Sequence, residues 1–207
     1  MRIRFTLFHF LVIVIILLAG FAAWLQIENW RLSQSLVTPA PGHAIIEAEE
    51  ETLRVVMIYD YLCPFCYTMD APIREAAVED GNVTLVFKFV PFLGEASGRL
   101  ARIAFAAGEQ GKFIEFHDFM MTQTPQGAAN LSVEDIAEGA GLDLDRLSED
   151  SESDAASAKV QENFELSMTI GADSTPTFLI GSMFYLPDSM PDKNRFLALF
   201  DEARQME

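Results

Sequence analysis

Leu53-Arg54-Val55-Val56-Met57-Ile58-Tyr59-Asp60-Tyr61-Leu62-Cys63-Pro64-Phe65-Cys66 reads as a strand, a short turn and the first turn of a helix. Leu53 to Tyr59 is a nearly continuous apolar and β-branched run, the pattern of a strand covered on both faces. Val83 to Val90 repeats that pattern. Between the two runs, helical spacing places Cys66, Met69, Ile73 and Ala77 on one face. The unit is strand, helix, strand, and a right-handed parallel crossover follows from it.

Pro64 suits the first helical position, where a missing N–H costs nothing, so Cys63 falls at the N-cap. A thiolate there faces unpaired backbone N–H groups and the positive end of the helix dipole, which pull its pKa below the free value of about 8.5. Cys63 is therefore expected to be an exposed nucleophile. Cys66, almost one turn on, is close enough to close a disulfide and is turned toward the apolar stripe, as a resolving thiol should be. In such a pair a substrate thiolate attacks oxidised Cys63 and is released when a second thiol attacks the mixed disulfide; the reverse direction is a reductase. Two rival readings exist. Tetrahedral zinc needs four ligands, and the chain has two cysteines and three histidines, of which His117 alone lies in the folded part, so no metal site is expected. A purely structural disulfide would close a tiny loop and stabilise little.

Toward the N-terminus, Phe5 to Leu25 follows Arg2 and Arg4 without a charged residue other than His9. At about 1.5 Å per residue it spans roughly 30 Å as a helix, enough to cross a bilayer. The arginines keep the N-terminus cytoplasmic and send Gln26 onward to the far side, where Trp24 and Trp30 suit the interface. The competing reading is a cleavable signal peptide with a candidate site at Gly20-Phe21-Ala22; the length favours an anchor. The expected organisation is a transmembrane helix over 1–25, a linker over 26–44 broken by Pro39 and Pro41-Gly42, and one folded domain over 45–207. The 207 residues include 31 acidic and 14 basic side chains, a formal charge of -17. Nucleic acid is excluded as a partner, because phosphate binding needs clustered Lys and Arg.

Four segments carry a resemblance: Tyr59 to Cys66, Lys88 to Gly94 (Lys-Phe-Val-Pro-Phe-Leu-Gly), Gln110 to Asp118 (Gln-Gly-Lys-Phe-Ile-Glu-Phe-His-Asp) and Ser174 to Gly181 (Ser-Thr-Pro-Thr-Phe-Leu-Ile-Gly). Their content and order resemble the DsbA-like thiol–disulfide oxidoreductases of the thioredoxin superfamily, over roughly residues 45 to 205. The resemblance implies an α/β thioredoxin-like fold with a helical insertion, about 97–168, beside the active site. It implies that Pro176 is in cis against the cysteine pair and that Thr175 offers its backbone to an extended substrate, a strand-addition mode of binding. It implies Pro64 and Phe65 as supporting residues, and no cofactor beyond the redox-active Cys63–Cys66 disulfide. Partners would be cysteine-containing proteins and a membrane or periplasmic redox protein that recycles the pair. The compartment would be the periplasmic face of a bacterial inner membrane.

Smaller features complete the reading. Thr177 to Ile180 and Met183 to Tyr185 form a hairpin about Gly181-Ser182, and a last helix opens near Pro191 with Phe196, Leu199, Phe200 and Ala203 on one stripe. Ser132 and Asp135 fit a capping box, and Gly141 ends that helix. His117 is read as structural. Where strongly oxidising relatives have His, this chain has Phe65, which supplies no positive charge, so a less stabilised thiolate is expected. Asp60 and Lys88 are each read as either a tuning group or a solvated strand-end charge. Besides an oxidase, the alternatives are a membrane-fed reductase or isomerase, and a non-catalytic peptide-binding module.

Overall fold

The computed structural model describes residues 7–37 and 44–206; Arg2, Arg4, Pro39, Pro41-Gly42 and His43 lie outside these, as does the side chain of Trp30. Helix α1 spans Leu7–Val37. Its segment His9–Ile27 is long and apolar enough to cross a membrane. The helix continues where the sequence suggests a linker, since no Gly or Pro stands between Gly20 and Pro39 to stop it. Residues 1–36 and 37–207 form separate compact units.

The second unit is built on a five-stranded sheet: β1 (Ala44–Ile46), β2 (Leu53–Tyr59), β3 (Val83–Phe89), β4 (Thr177–Ile180) and β5 (Met183–Tyr185), in the order β1-β3-β2-β4-β5. β2 and β3 run parallel with Leu53 opposite Val83 and Tyr59 opposite Phe89, while β4 pairs antiparallel with β2. β2 and β3 are joined by α2 (Pro64–Asp80), which ends at Gly81 with φ of 77°. That glycine takes a left-handed conformation that any other residue would strain to reach. α2 passes through Pro72, a breaker the apolar periodicity overrides. The strand β1, three residues paired antiparallel with β3, goes unread in the sequence.

Six helices lie between β3 and β4: α3 (Glu95–Glu109), α4 (Phe113–Met121), α5 (Pro125–Asn130), α6 (Val133–Ala140), α7 (Leu144–Ser151) and α8 (Asp154–Thr169). Ser132 and Asp135 make the expected capping box, and Gly141 closes α6 with φ of 65°. α9 (Lys193–Arg204) opens at Asp192, whose side chain accepts from the Arg195 N–H, one residue beyond the expected start.

The pleat sorts side chains to two faces. Val55, Met57 and Tyr59 with Leu85, Phe87 and Phe89 enter the main core, together with both cysteines and residues of α2, α3, α4 and α9. Val56, Ile58, Val86 and Val90 enter a smaller core with Ala172, flanked by Phe92, Ile170 and Leu179. Lys88 alternates onto this second side, near Lys159 and Glu162 of α8, so it is neither solvated nor beside the cysteines. Burial lowers its ammonium to about 8.

Candidate active site

Both cysteines are free thiols at the start of α2. Cys63 is the N-cap, with extended backbone (φ -85°, ψ 114°), and Pro64 follows at the first helical position. The turn before it is closed by the Cys63 N–H, which donates to the Asp60 carbonyl at 3.0 Å. The Cys66 N–H in turn donates to the Cys63 carbonyl at 3.1 Å.

Cys63 is 5% exposed rather than open to solvent. The physical reason is the segment before β4: the Cys63 thiol donates to the Thr175 carbonyl at 3.3 Å, and the Thr175–Pro176 peptide is cis. The structure brings the Thr175–Pro176 segment over Cys63, which is therefore less exposed than its place at the helix end suggests. The two thiols differ electrostatically. A hydrogen bond from Cys66, helped by the N–H groups of Cys66 and Phe65, draws Cys63 down to about 6 against the opposing effect of burial. Burial, reinforced by the hydrogen bond to Cys63 and its charge, pushes Cys66 well above the ordinary thiol range. Phe65 adds no positive charge, yet a depressed Cys63 results, because local donors do the stabilising.

Phe65 is 55% exposed at the rim of a groove of about 360 Å³ that Met69, Thr175, Pro176, Leu186 and Met190 also line. Its lining is mostly apolar.

Two buried polar arrangements stand behind the pair. Asp60 is 1% exposed, not a solvated charge. Its carboxylate accepts from the Leu62 N–H at 2.8 Å, the Leu93 N–H at 3.1 Å and the Ser97 hydroxyl. Burial raises its pKa, and these donors oppose that rise. The second is a chain through His117, which is fully buried: Nδ1 lies 2.9 Å from the Tyr61 hydroxyl and Nε2 2.8 Å from Asp70. A carboxylate only accepts, so Nε2–H donates to Asp70 and Nδ1 accepts from the Tyr61 hydroxyl. Arg74 bridges Asp70 and Asp118 at 3.5 and 2.8 Å. The structural reading of His117 fits this setting; its partners, on α2 and in the active-site turn, lie too far away in sequence to be guessed.

A thioredoxin-like sheet, a helix opening on Cys-Pro-Phe-Cys and a cis Thr-Pro peptide whose Thr175 carbonyl meets the first cysteine define a domain of the thiol–disulfide oxidoreductase class. Residues 54–197 match the DSBA-like thioredoxin domain, and the chain belongs to that family. Among solved structures, a thioredoxin-like oxidoreductase from Silicibacter pomeroyi DSS-3 is 30% identical, with 83% of this chain and 97% of that one covered and a TM-score of 0.71. The catalytic domain of Proteus mirabilis ScsC shares the fold at 21% identity, covering 84% and 96% with a TM-score of 0.68. Oxidised BdbD from Bacillus subtilis does so at 17% identity, covering 81% and 96% with a TM-score of 0.68. Among curated proteins, 136 residues are 28% identical to part of the Na(+)/H(+) antiporter NhaA 3 of Salinispora tropica; the match takes in 63% of this chain and 20% of the antiporter. The chain thus spans about a fifth of the length of that relative.

Proposed function

We propose that this chain exchanges disulfides with cysteine-containing proteins outside the cytoplasm, with Cys63 as the attacking and attacked sulfur and Cys66 as the resolving one. The observation that carries the reading is the asymmetry of the pair: a Cys63 thiol near 6 under the Thr175–Pro176 segment, and a Cys66 thiol raised by burial one turn behind it. In the oxidising direction a substrate thiolate attacks Cys63 Sγ, the Cys63–Cys66 bond breaks, and Cys66 leaves with the electron pair and takes up a proton. The second substrate thiol then attacks the mixed disulfide and expels Cys63 as a thiolate. Two electrons pass from substrate to the pair, and a membrane or periplasmic redox partner removes them.

Thr175 and Pro176 position the substrate backbone in this scheme, Pro64 starts the helix, and Phe65 and the groove beside it receive the residues flanking the substrate cysteine. Residues 1–25 anchor the protein in the inner membrane, 26–44 space the domain from the bilayer, and 45–207 form the redox domain on the periplasmic side. The apolar helix over His9–Ile27 supports the anchor. A 21% identical structure described as a periplasmic thioredoxin-like protein from Salmonella enterica serovar Typhimurium is compatible with the compartment.

The decisive experiment uses the full chain in detergent or in cells. Cys66→Ala should accumulate mixed disulfides through Cys63, and Cys63→Ala should abolish exchange. A Cys66→Ala chain that captures nothing under oxidising conditions, with wild-type activity unaffected by Cys63→Ala, sinks the reading. The reduction potential then sets the direction: a value near -120 mV defines a disulfide donor, and one near -270 mV a reductase fed with electrons across the membrane.

A further inference from the structure

Asp60 touches both sides of the site at once. Its backbone carbonyl accepts the Cys63 N–H at 3.0 Å, and its Oδ1 accepts the Leu62 N–H at 2.8 Å, so the residue closes the turn that delivers the nucleophile to the helix N-cap. Its other oxygen reaches away from this turn. Oδ2 accepts from the Leu93 N–H at 3.1 Å and from the Ser97 hydroxyl, which belongs to the first turn of α3. Ser97 is 2% exposed, and its single hydroxyl proton goes to Asp60, since the other acceptor within reach, the Val90 carbonyl, lies farther off at 3.4 Å. The carboxylate is therefore a buried clasp between the Cys63 turn and the start of the helical insertion, with each oxygen committed to one side.

We propose that Asp60 is the positioning residue of the site, through which the insertion fixes the place of Cys63 relative to the N–H groups at the start of α2. The inference rests on Cys63 being the reactive thiol. A carboxylate can act on a thiol in two ways, and they have opposite signs. As a bare negative charge it destabilises a thiolate, so removing the charge lowers the thiol's pKa. As a clasp it holds the sulfur where local donors stabilise the thiolate, so losing it raises the pKa. Asp60→Asn keeps the shape and one acceptor, and it points an amide donor at a neighbouring donor. The clasp opens and the charge goes in the same variant, so the direction of the change separates the roles.

The experiment is the rate of iodoacetamide alkylation of Cys63 against pH, on the full reduced chain in detergent, for wild type, Asp60→Asn and Ser97→Ala. In Asp60→Asn the midpoint should rise by about one unit, roughly a tenfold loss of thiolate below the midpoint. Ser97→Ala removes one donor and leaves the charge; it should move the midpoint the same way by a smaller amount, and it carries the test alone if Asp60→Asn does not fold. An unchanged or lowered midpoint in Asp60→Asn overturns the proposal, as does an unchanged midpoint in Ser97→Ala. A wild-type Cys63 that itself titrates like a free thiol near 8.5 defeats the functional reading instead, so the two failures are distinct.

Discussion

The mouth of α2 and the interior behind it hold their polar groups in contrasting ways. At the mouth, Cys63 has a weak sulfur contact with the Thr175 carbonyl, an apolar groove beside it and its charge stabilised first by the Cys66 thiol and then by N–H groups of the same helical turn. A carbonyl accepts from a thiol and not from a thiolate, so that contact is made only by the protonated sulfur. In the interior, Tyr61, His117 and Asp70 satisfy one another among the rings of Tyr59, Phe87, Phe113 and Phe116. A closed network of this kind stabilises and specifies packing, but it has no open position for chemistry. The difference teaches that reactivity in this domain comes from incomplete satisfaction at a helix end, and that the fully satisfied groups hold the frame.

The largest effect that separates the regions is in the thiols themselves. With Cys63 at about 6 and Cys66 well above the ordinary range, native reduced protein at pH 7 should alkylate at Cys63 at least a hundredfold faster than at Cys66. Mass spectrometry of the labelled peptide measures this; equal labelling would erase the distinction. Stability follows the same sign. The folded Cys63 pKa is depressed, so its thiolate adds stability that is present above about 8.5, the unfolded value, and is lost as pH falls through about 6. The melting temperature of the reduced wild type, relative to Cys63→Ala, should therefore rise across that window.

Much of the mouth is legible in the sequence because its determinants are local. Cys63, Pro64 and Cys66 lie within one helical turn, and the strand patterns of Leu53–Tyr59 and Val83–Phe89 define the crossover that presents them. The hairpin at Gly181 and the box at Ser132 and Asp135 are likewise written in neighbouring residues. What escapes is set by distance along the chain. Cys63 meets Thr175 across 112 positions, so no local pattern shows its cover, and only the resemblance points to that segment. Asp60 meets Leu93 and Ser97 across 33 and 37 positions, and His117 meets Asp70 across 47. A single acidic residue after a strand looks the same in sequence whether it ends in water or beneath a loop. β1 is hidden for another reason: three residues carry no periodicity, and their pairing with β3 supplies the order.

His117→Ala probes the interior directly. It opens a cavity among aromatic rings, leaves the buried Asp70 carboxylate with Arg74 but without its shortest partner, and leaves the Tyr61 hydroxyl without its His117 acceptor, a combined cost of roughly 3–5 kcal/mol. Chemical denaturation of the full chain in detergent measures the loss. The molecules that remain folded should keep the wild-type alkylation profile of Cys63, because the network's hydrogen bonds run among Tyr61, His117 and Asp70 and not to the sulfur. A shifted profile would show that the interior tunes the mouth.

The finest separation lies between two adjacent residues. Asp60 and Tyr61 sit side by side in the turn and both reach the insertion, one to the start of α3 and the other to α4. Asp60 also bonds the backbone of the turn itself, whereas the Tyr61 hydroxyl bonds His117. Tyr61→Phe keeps the ring stacked on Phe89, with centroids 4.8 Å apart, and deletes a single hydrogen bond. The unpaired Nδ1 acceptor should cost about 1–2 kcal/mol in the same denaturation experiment. Because the ring continues to hold its place in the core, the Cys63 midpoint should stay where it is. A change at Tyr61 as large as that from Asp60→Asn would mean that any loosening of this turn moves the thiol, and that the Asp60 carboxylate has no distinct place in holding it.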